Sequence, residues 1–288
     1  MRIFLIRHGE TEHNVAGLLA GVTDSVLTNH GLIQAQRLGQ HLVKKRCLQF
    51  TQVFASDLQR AANTAREITS AQSTVLSGPS VIEPTIVKEL REQDFGSLEL
   101  VSWSKTRDAD SKMAKEGDTG FQPKESKDQM KERADVFLDD YLLPLLPLDD
   151  EAEQTVAVVS HGLFLASLWR TLLGRFRPLT VTVGPAVQHL AGTRPVEFLS
   201  SWSNTGFLEI EIRMNNATID TGAQGVSTAE AGRAGLENRL HATMCICAVN
   251  STEHLIGLKR TRGGVGSSAV DEKQKKLETF FKRPRNAH

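Results

Sequence analysis

Cysteine is scarce: three in 288 residues, Cys47, Cys245 and Cys247, too few for a disulfide framework. The last two stand as C-x-C within ATMCICAV, a stretch of strand character, so these thiols are expected to be buried, with neither a redox nor a metal role. The nine histidines are scattered and lack H-E-x-x-H or C-x-x-C spacing, which argues against a structural zinc site. No apolar run approaches the length that spans a bilayer. The first strand begins within two residues of Met1 and gives way to polar residues, leaving no room for a signal peptide, so a cytoplasmic protein is expected. Net charge is missing too, with 34 Lys and Arg against 34 Asp and Glu, but the balance is uneven. Residues 259–288 hold nine bases and three acids, leaving 25 bases and 31 acids in a mildly acidic body.

What is present reads as a folded α/β chain. With 40% apolar and 24% charged residues it has ordinary globular composition, long enough for one large core or two modest ones. A strand at about 2–6 leads through a loop to a helix at about 29–45 with lysines in its last turn. FTQVFASD then forms a short strand ahead of the helix formers LQRAANTAREITSA. The same step recurs at EQTVAVVSHGLFLASLWRTLLG, with a strand at 154–159, a turn at Ser160-His161-Gly162 and an amphipathic helix behind it. A helix is predicted at about 126–144, a strand-like TIVKEL before Glu92, and two late strands in GFLEIEIRM and HATMCICAV. Strands alternating with helices predict a three-layer α/β/α fold with a mostly parallel sheet. Residues 1–258 are expected as the folded domain, with a flexible Gly/Ala/Ser/Thr insertion at about 221–236, and 259–288 as a basic, disordered tail.

The stretch LIRHGE ends an apolar strand with a cation and an imidazole, which places both where the strand leaves the sheet. Ligands of an open α/β sheet bind outside the carboxyl ends of the strands, beside helix N-termini that offer N–H groups to anions. Three such ends deliver Arg7-His8-Gly9, Ser56 leading to Arg60, and His161-Gly162. Two guanidiniums suit the oxygens of a phosphoryl group. A neutral histidine whose second N–H is held by a carbonyl is a nucleophile for phosphoryl transfer, while a second histidine could stay cationic beside the phosphate. Glu92 is the candidate acid for the leaving alkoxide, its proton affinity raised by partial burial.

Four segments in this order, RHGET, SDLQRAANTA, LREQDFGSLE and VVSHG, resemble the histidine phosphatase superfamily, also called the phosphoglycerate mutase-like family. Arg7-His8-Gly9-Glu10-Thr11 matches its R-H-G-[ET] signature, and GVTDSVLTNHGLIQA its G-x-x-D-x-x-L-T block. The resemblance implies a phosphoglycerate mutase-like fold, His8 as the phosphorylated nucleophile, Arg7, Arg60 and His161 around the phosphoryl group, and Glu92 as proton donor. Gly9 and Gly162 would lie on the phosphate side, Asn14 and Gly21 on the substrate side. Departures fall at the substrate rim: Leu18-Leu19-Ala20-Gly21 lacks the usual arginine, Leu100 replaces a glycine, and Pro123-Lys124-Glu125-Ser126 lacks another. SNTGFLEIEI and CICAVNSTEHLIGLKRTR resemble the TIGAR-like fructose-2,6-bisphosphatase branch, which implies a phosphatase on sugar bisphosphates or similar small phosphoesters. The 69 residues from Glu92 to His161 put phosphatase ahead of phosphoglycerate mutase, whose branch carries a longer insertion. A binding module on a phosphatase fold is the remaining alternative. No metal or cofactor is implied, because arginines and histidines already supply the positive charge.

The tail carries QKKLETFF, which resembles the peptide that binds the sliding clamp PCNA. One helical turn would gather Leu277, Phe280 and Phe281 into a plug, with Gln274 capping it; a short helix docking on its own domain is the other reading. KRPR after it suits nuclear entry, weak nucleic-acid contact or plain solvation.

Overall fold

The computed structural model describes residues 1–75, 82–105, 120–146, 154–190, 195–198, 202–214 and 242–259. Its strands are β1 (Arg2–Arg7), β2 (Gln52–Ala55), β3 (Thr85–Ile86), β4 (Thr155–Ser160), β5 (Val181–Val183), β6 (Phe207–Met214) and β7 (Ala242–Ser251). They form one sheet in the order β3-β2-β4-β1-β6-β7-β5. β3, β2, β4 and β1 pair in parallel, β6 runs antiparallel to both its neighbours, and β5 is parallel to β7, so β6 alone runs against the rest. The expected mostly parallel sheet is what the chain builds.

Alternation along the strands explains the layers. Ile3 and Leu5 of β1 face one core with Val156 and Val158, while Phe4 and Ile6 face the other with Ala157 and Val159. Helices cover both faces. The first core is closed by α4 (Lys127–Phe137) and α5 (Gly162–Leu173), through Phe137, Phe164, Leu168 and Trp169. The second is closed by α2 (Asn29–Gly39) and α3 (Gln59–Ser73), through Leu38, Ala61, Ala65 and Ile68. A short α1 (Glu12–Ala16) sits between β1 and α2 under a capping box of Thr11 and Asn14.

The differences from the sequence reading have physical causes. The helix expected at 29–45 is α-helical to Gly39 and continues as a π-helix over Gln40–Lys45; that at 126–144 likewise changes at Leu138 and ends in a 3₁₀ turn holding Pro144. TIVKEL keeps only two strand residues, because β3 lies at the sheet edge and Val87 and Leu90 turn inward to the core instead. β5 was not foreseen, since three residues carry no readable period. The thiols are not buried as expected: Cys47 is exposed and left-handed at φ 54°, and Cys245 and Cys247 are half-buried on β7, beyond which only β5 pairs. Burial and the neighbouring Cys245 push the Cys247 thiol up to about 12. The insertion at about 221–236 and the motif 274–281 lie outside the described residues. Among those described, no helix is long and apolar enough to cross a membrane.

Candidate active site

Register brings the three predicted strand ends to one edge. Arg7 lies opposite Ser160 across β1 and β4, and Ala55 opposite Val159 across β2 and β4, so His8, Ser56 and His161 follow the ends of neighbouring central strands. A cavity of about 550 Å³ opens there, lined by Arg7, His8, Asn14, Gly21, Arg60, Glu92 and Gly162 among others.

His8 is buried, and its Nδ1 stands 2.7 Å from the Gly9 carbonyl. A carbonyl only accepts, so this contact assigns the proton to Nδ1 and leaves a lone pair on Nε2. Burial first, then the Arg60 and Arg7 guanidiniums, hold the ring well below the usual imidazole range, so it is neutral at pH 7. The His161 ring lies 5.0 Å away between centroids. Arg60 Nε donates to its Nδ1 at 3.2 Å, which places the His161 proton on Nε2, a buried atom without a partner among the described residues. The expectation that His161 stays cationic needs correction. Burial, Arg60, His8 and Arg7 all lower its proton affinity, so it meets the site as a neutral donor.

Arg60 is itself almost fully enclosed, and its guanidinium also donates to the Gly21 carbonyl at 2.6 Å and the Thr23 carbonyl at 3.0 Å. That explains Gly21. With φ at 55°, and with any Cβ set 2.1 Å from Glu99 Oε1, only glycine presents its carbonyl to Arg60 here. Arg7 is pinned by Nη1 to the Trp202 carbonyl at 2.6 Å, while its buried Nε finds no partner among the described residues. Gly162 packs behind it, where a Cβ would lie 3.7 Å from that Nε.

Glu92 is half-buried, yet burial does not isolate it as the sequence reading supposed. Its carboxylate caps the first turn of α5, accepting from the Leu163 N–H at 3.2 Å and the Phe164 N–H at 2.9 Å, and it also accepts from the Gln93 N–H at 3.0 Å. The segment is clamped from two sides. Ser160 Oγ donates to the Leu90 carbonyl, and Arg133 on α4 donates to the carbonyls of Glu89, Arg91 and Glu92 while paired with Glu125. A neighbouring cavity of about 750 Å³ shares Glu92, and the arginines on its wall, Arg91 and Arg133, are already paired with Asp57 and Glu125.

Gly9 does not line the cavity. Its N–H is spent on Thr64 Oγ1 at 3.0 Å, and a Cβ there would come 2.6 Å from the Gly31 carbonyl oxygen, so Gly9 permits the crossing of β1's end by α2. Asn14 does line it. Its Oδ1 accepts from the Thr11 N–H and from Asn204 Nδ2, so its own Nδ2 is what it has left to offer. Sequence reasoning missed Thr64, Arg133, Asn204 and Thr205. The last two hold the His8 backbone: Asn204 Nδ2 donates to the His8 carbonyl, and the Thr205 N–H is shared by those of Arg7 and His8. The turn residues SNTG before β6 were the available signal.

Guanidiniums and imidazoles gathered at the carboxyl edge of such a sheet define an enzyme of the phosphoryl-handling class. Comparison with known proteins gives the family. Residues 3–181 match the histidine phosphatase superfamily, branch 1. The chain is 33% identical over 278 residues to a Schizosaccharomyces pombe protein named "Probable phosphatase", covering 96% of this chain and 78% of that one. Over 177 residues it is 35% identical to an Erwinia tasmaniensis protein named "Probable phosphoglycerate mutase GpmB", covering 60% and 75%. The structure of a mycobacterial glucosyl-3-phosphoglycerate phosphatase shares the fold, with a TM-score of 0.52 at 24% identity over 73% of this chain and 89% of that one. The chain belongs to the histidine phosphatase superfamily, an enzyme of its phosphatase and phosphoglycerate mutase-like group.

Proposed function

We propose that the protein is a phosphomonoesterase that works through a phosphohistidine on His8. The observation that carries this is the neutral His8 ring, its Nδ1–H spent on the Gly9 carbonyl and its Nε2 left as the base at a cavity walled by Arg7 and Arg60. Nε2 attacks phosphorus as the ester oxygen leaves; Arg7, Arg60 and the Nε2–H of His161 bind the non-bridging oxygens as charge builds on them. Glu92 gives its proton to the departing alkoxide. A water then attacks the phosphohistidine, the Glu92 carboxylate takes a proton from it, and inorganic phosphate and free His8 result.

The resemblance to the TIGAR-like branch puts fructose-2,6-bisphosphate forward as a substrate to test, and mutase chemistry is the second reading because one relative carries that name. Phosphate release from fructose-2,6-bisphosphate, 2,3-bisphosphoglycerate and p-nitrophenyl phosphate, in the native chain and in His8→Ala, decides. Release that vanishes in the variant, with a covalent phosphate trapped on the native enzyme, supports the phosphatase. Exchange of phosphate between glycerate positions without release supports the mutase, and neither supports the binding module. Residues 1–258 would be the catalytic domain, QKKLETFF in the basic tail a docking segment for PCNA, and the enzyme cytoplasmic and, with KRPR assisting entry, also nuclear. Pull-down with the clamp, lost when Phe280 and Phe281 become alanine, tests it.

A further inference from the structure

The cavity wall bears on what leaves with the ester oxygen. At the cavity's catalytic end, Arg7 and Arg60 stand close enough to His8 and His161 to depress both rings, and they are the only Lys or Arg among the described residues lining it. Among the described residues lining it, Glu92 is the one acid. Away from that cluster the wall is apolar and aromatic: Leu18, Leu19, Phe95, Trp103, Leu163 and Trp202. Trp103 stands 60% exposed there, and the indole Nε1 of Trp202 is buried with no acceptor among the described residues. Such a wall suits the face of a ring and a single hydrogen-bond acceptor.

With the phosphomonoesterase reading as its premise, we infer that the leaving group is an uncharged alcohol with an apolar or aromatic face, and that esters whose leaving group carries a further phosphate or carboxylate are poor substrates. A second phosphate, or the carboxylate of a phosphoglycerate, would lie against leucine and tryptophan, losing hydration with no Lys or Arg besides Arg7 and Arg60 among the described lining residues to replace it. An aromatic ring would gain stacking on tryptophan and give up little hydration. Leu18 is the residue at which a cation would change this balance most directly, since it lines the cavity next to Leu19.

The test compares kcat/KM for benzyl phosphate, glycerol 2-phosphate, fructose-2,6-bisphosphate and 3-phosphoglycerate on the full chain. Benzyl and glyceryl alcohols are similarly weak acids, so their difference reports binding rather than reactivity. Benzyl phosphate is expected to exceed the other three by about tenfold or more. Trp103→Ala should cut benzyl phosphate turnover more than that of glycerol 2-phosphate, and Leu18→Arg should raise fructose-2,6-bisphosphate and 3-phosphoglycerate relative to benzyl phosphate. Equal rates, or preference for fructose-2,6-bisphosphate or 3-phosphoglycerate with His8-dependent turnover, overturn the inference and leave the phosphomonoesterase standing. No turnover of any ester and no phosphate trapped on His8 overturn the phosphomonoesterase and this inference with it.

Discussion

Acidification should destabilise this protein in part through one residue that lies outside the cavity but bonds to Thr205. His254 follows β7 in a 3₁₀ turn (Glu253–Leu255), is 7% exposed, and stacks on Phe207. Its Nε2 lies 2.8 Å from Thr205 Oγ1, whose own proton goes to the Asn204 carbonyl, so His254 donates and is neutral. Burial, then His41 and Arg37, bring it down to about 3. The unfolded chain, with an ordinary imidazole near 6.5, binds the proton that the folded chain refuses, so stability is lost as pH falls through 6.5 and keeps falling toward 3. Between pH 7.5 and 5.0 this single group removes about 2 kcal/mol, a sizeable share of a typical 5–15 kcal/mol total. Urea unfolding of the native chain and of His254→Gln at both pH values isolates the effect. The glutamine keeps a donor for Thr205 but cannot titrate, so the variant should lose about 2 kcal/mol less over that interval. Parallel losses in the two proteins would refute the assignment of a neutral, buried His254.

Further expectations follow from the same contacts. Glu92→Gln keeps an oxygen for the N–H groups of α5 but has no acid proton, so hydrolysis of alkyl phosphates should drop about 10²–10⁴-fold while p-nitrophenyl phosphate, with a good leaving group, falls far less; equal losses would show a structural role. Arg46 pairs through both Nη atoms with Glu209, which is 4% exposed and also lies 3.7 Å from Arg2 Nε, so Arg46→Met should cost about 1–2 kcal/mol in urea unfolding and the double variant with Glu209→Gln should recover most of it. Because His8 is held well below 6.5, the acid limb of kcat/KM should fall well under that pH, and a limb centred on 6.5 would contradict the burial argument. Leu100 holds a left-handed φ of 64° and donates to the Leu19 carbonyl, so Leu100→Gly should leave stability within about 1 kcal/mol, relieved strain offsetting chain entropy, while raising KM as the Leu18-Leu19 wall loosens; an unchanged KM would sink this.

Legibility followed the range of the interactions involved. The strands at 2–7 and 155–160 were readable because burial on both faces leaves apolar runs in the sequence, and a residue that breaks such a run, as Arg7 and His161 do, marks the strand's end, while 207–214 was readable from its alternation of Leu208, Ile210 and Ile212 with Glu209, Glu211 and Arg213. The gathering of Arg7, His8, Arg60 and Glu92 on one cavity, with His161 buried against His8 and Arg60 behind it, was readable for the same reason. What escaped were partners set by tertiary contact alone: Arg133 reaching from α4 to the Glu92 backbone, Thr64 taking the Gly9 N–H, and Thr205 turning left-handed beneath β1. The charge of His161 escaped as well, because it depends on complete burial beside a guanidinium that no spacing in the sequence reveals.

The site carries a cost that the rest of the fold offsets. Arg7 Nε and His161 Nε2 are buried donors without partners among the described residues, and two guanidiniums stand close enough to His8 to depress its proton affinity. Each feature opposes folding, and each is what a bound phosphoryl group would satisfy, so a phosphate ligand should stabilise the native chain in proportion to its occupancy. The segments that must hold still meanwhile are tied down away from the cavity. Arg91 pairs with Asp57 to fix the approach to Glu92, Arg133 with Glu125 to clamp its backbone, and Arg46 with Glu209 to lock β6 against the helix end before β2. The unpaired buried donors thus stand where a phosphoryl ligand would satisfy them, and the ion pairs sit where they hold the segments bearing Glu92 and β6 rigid.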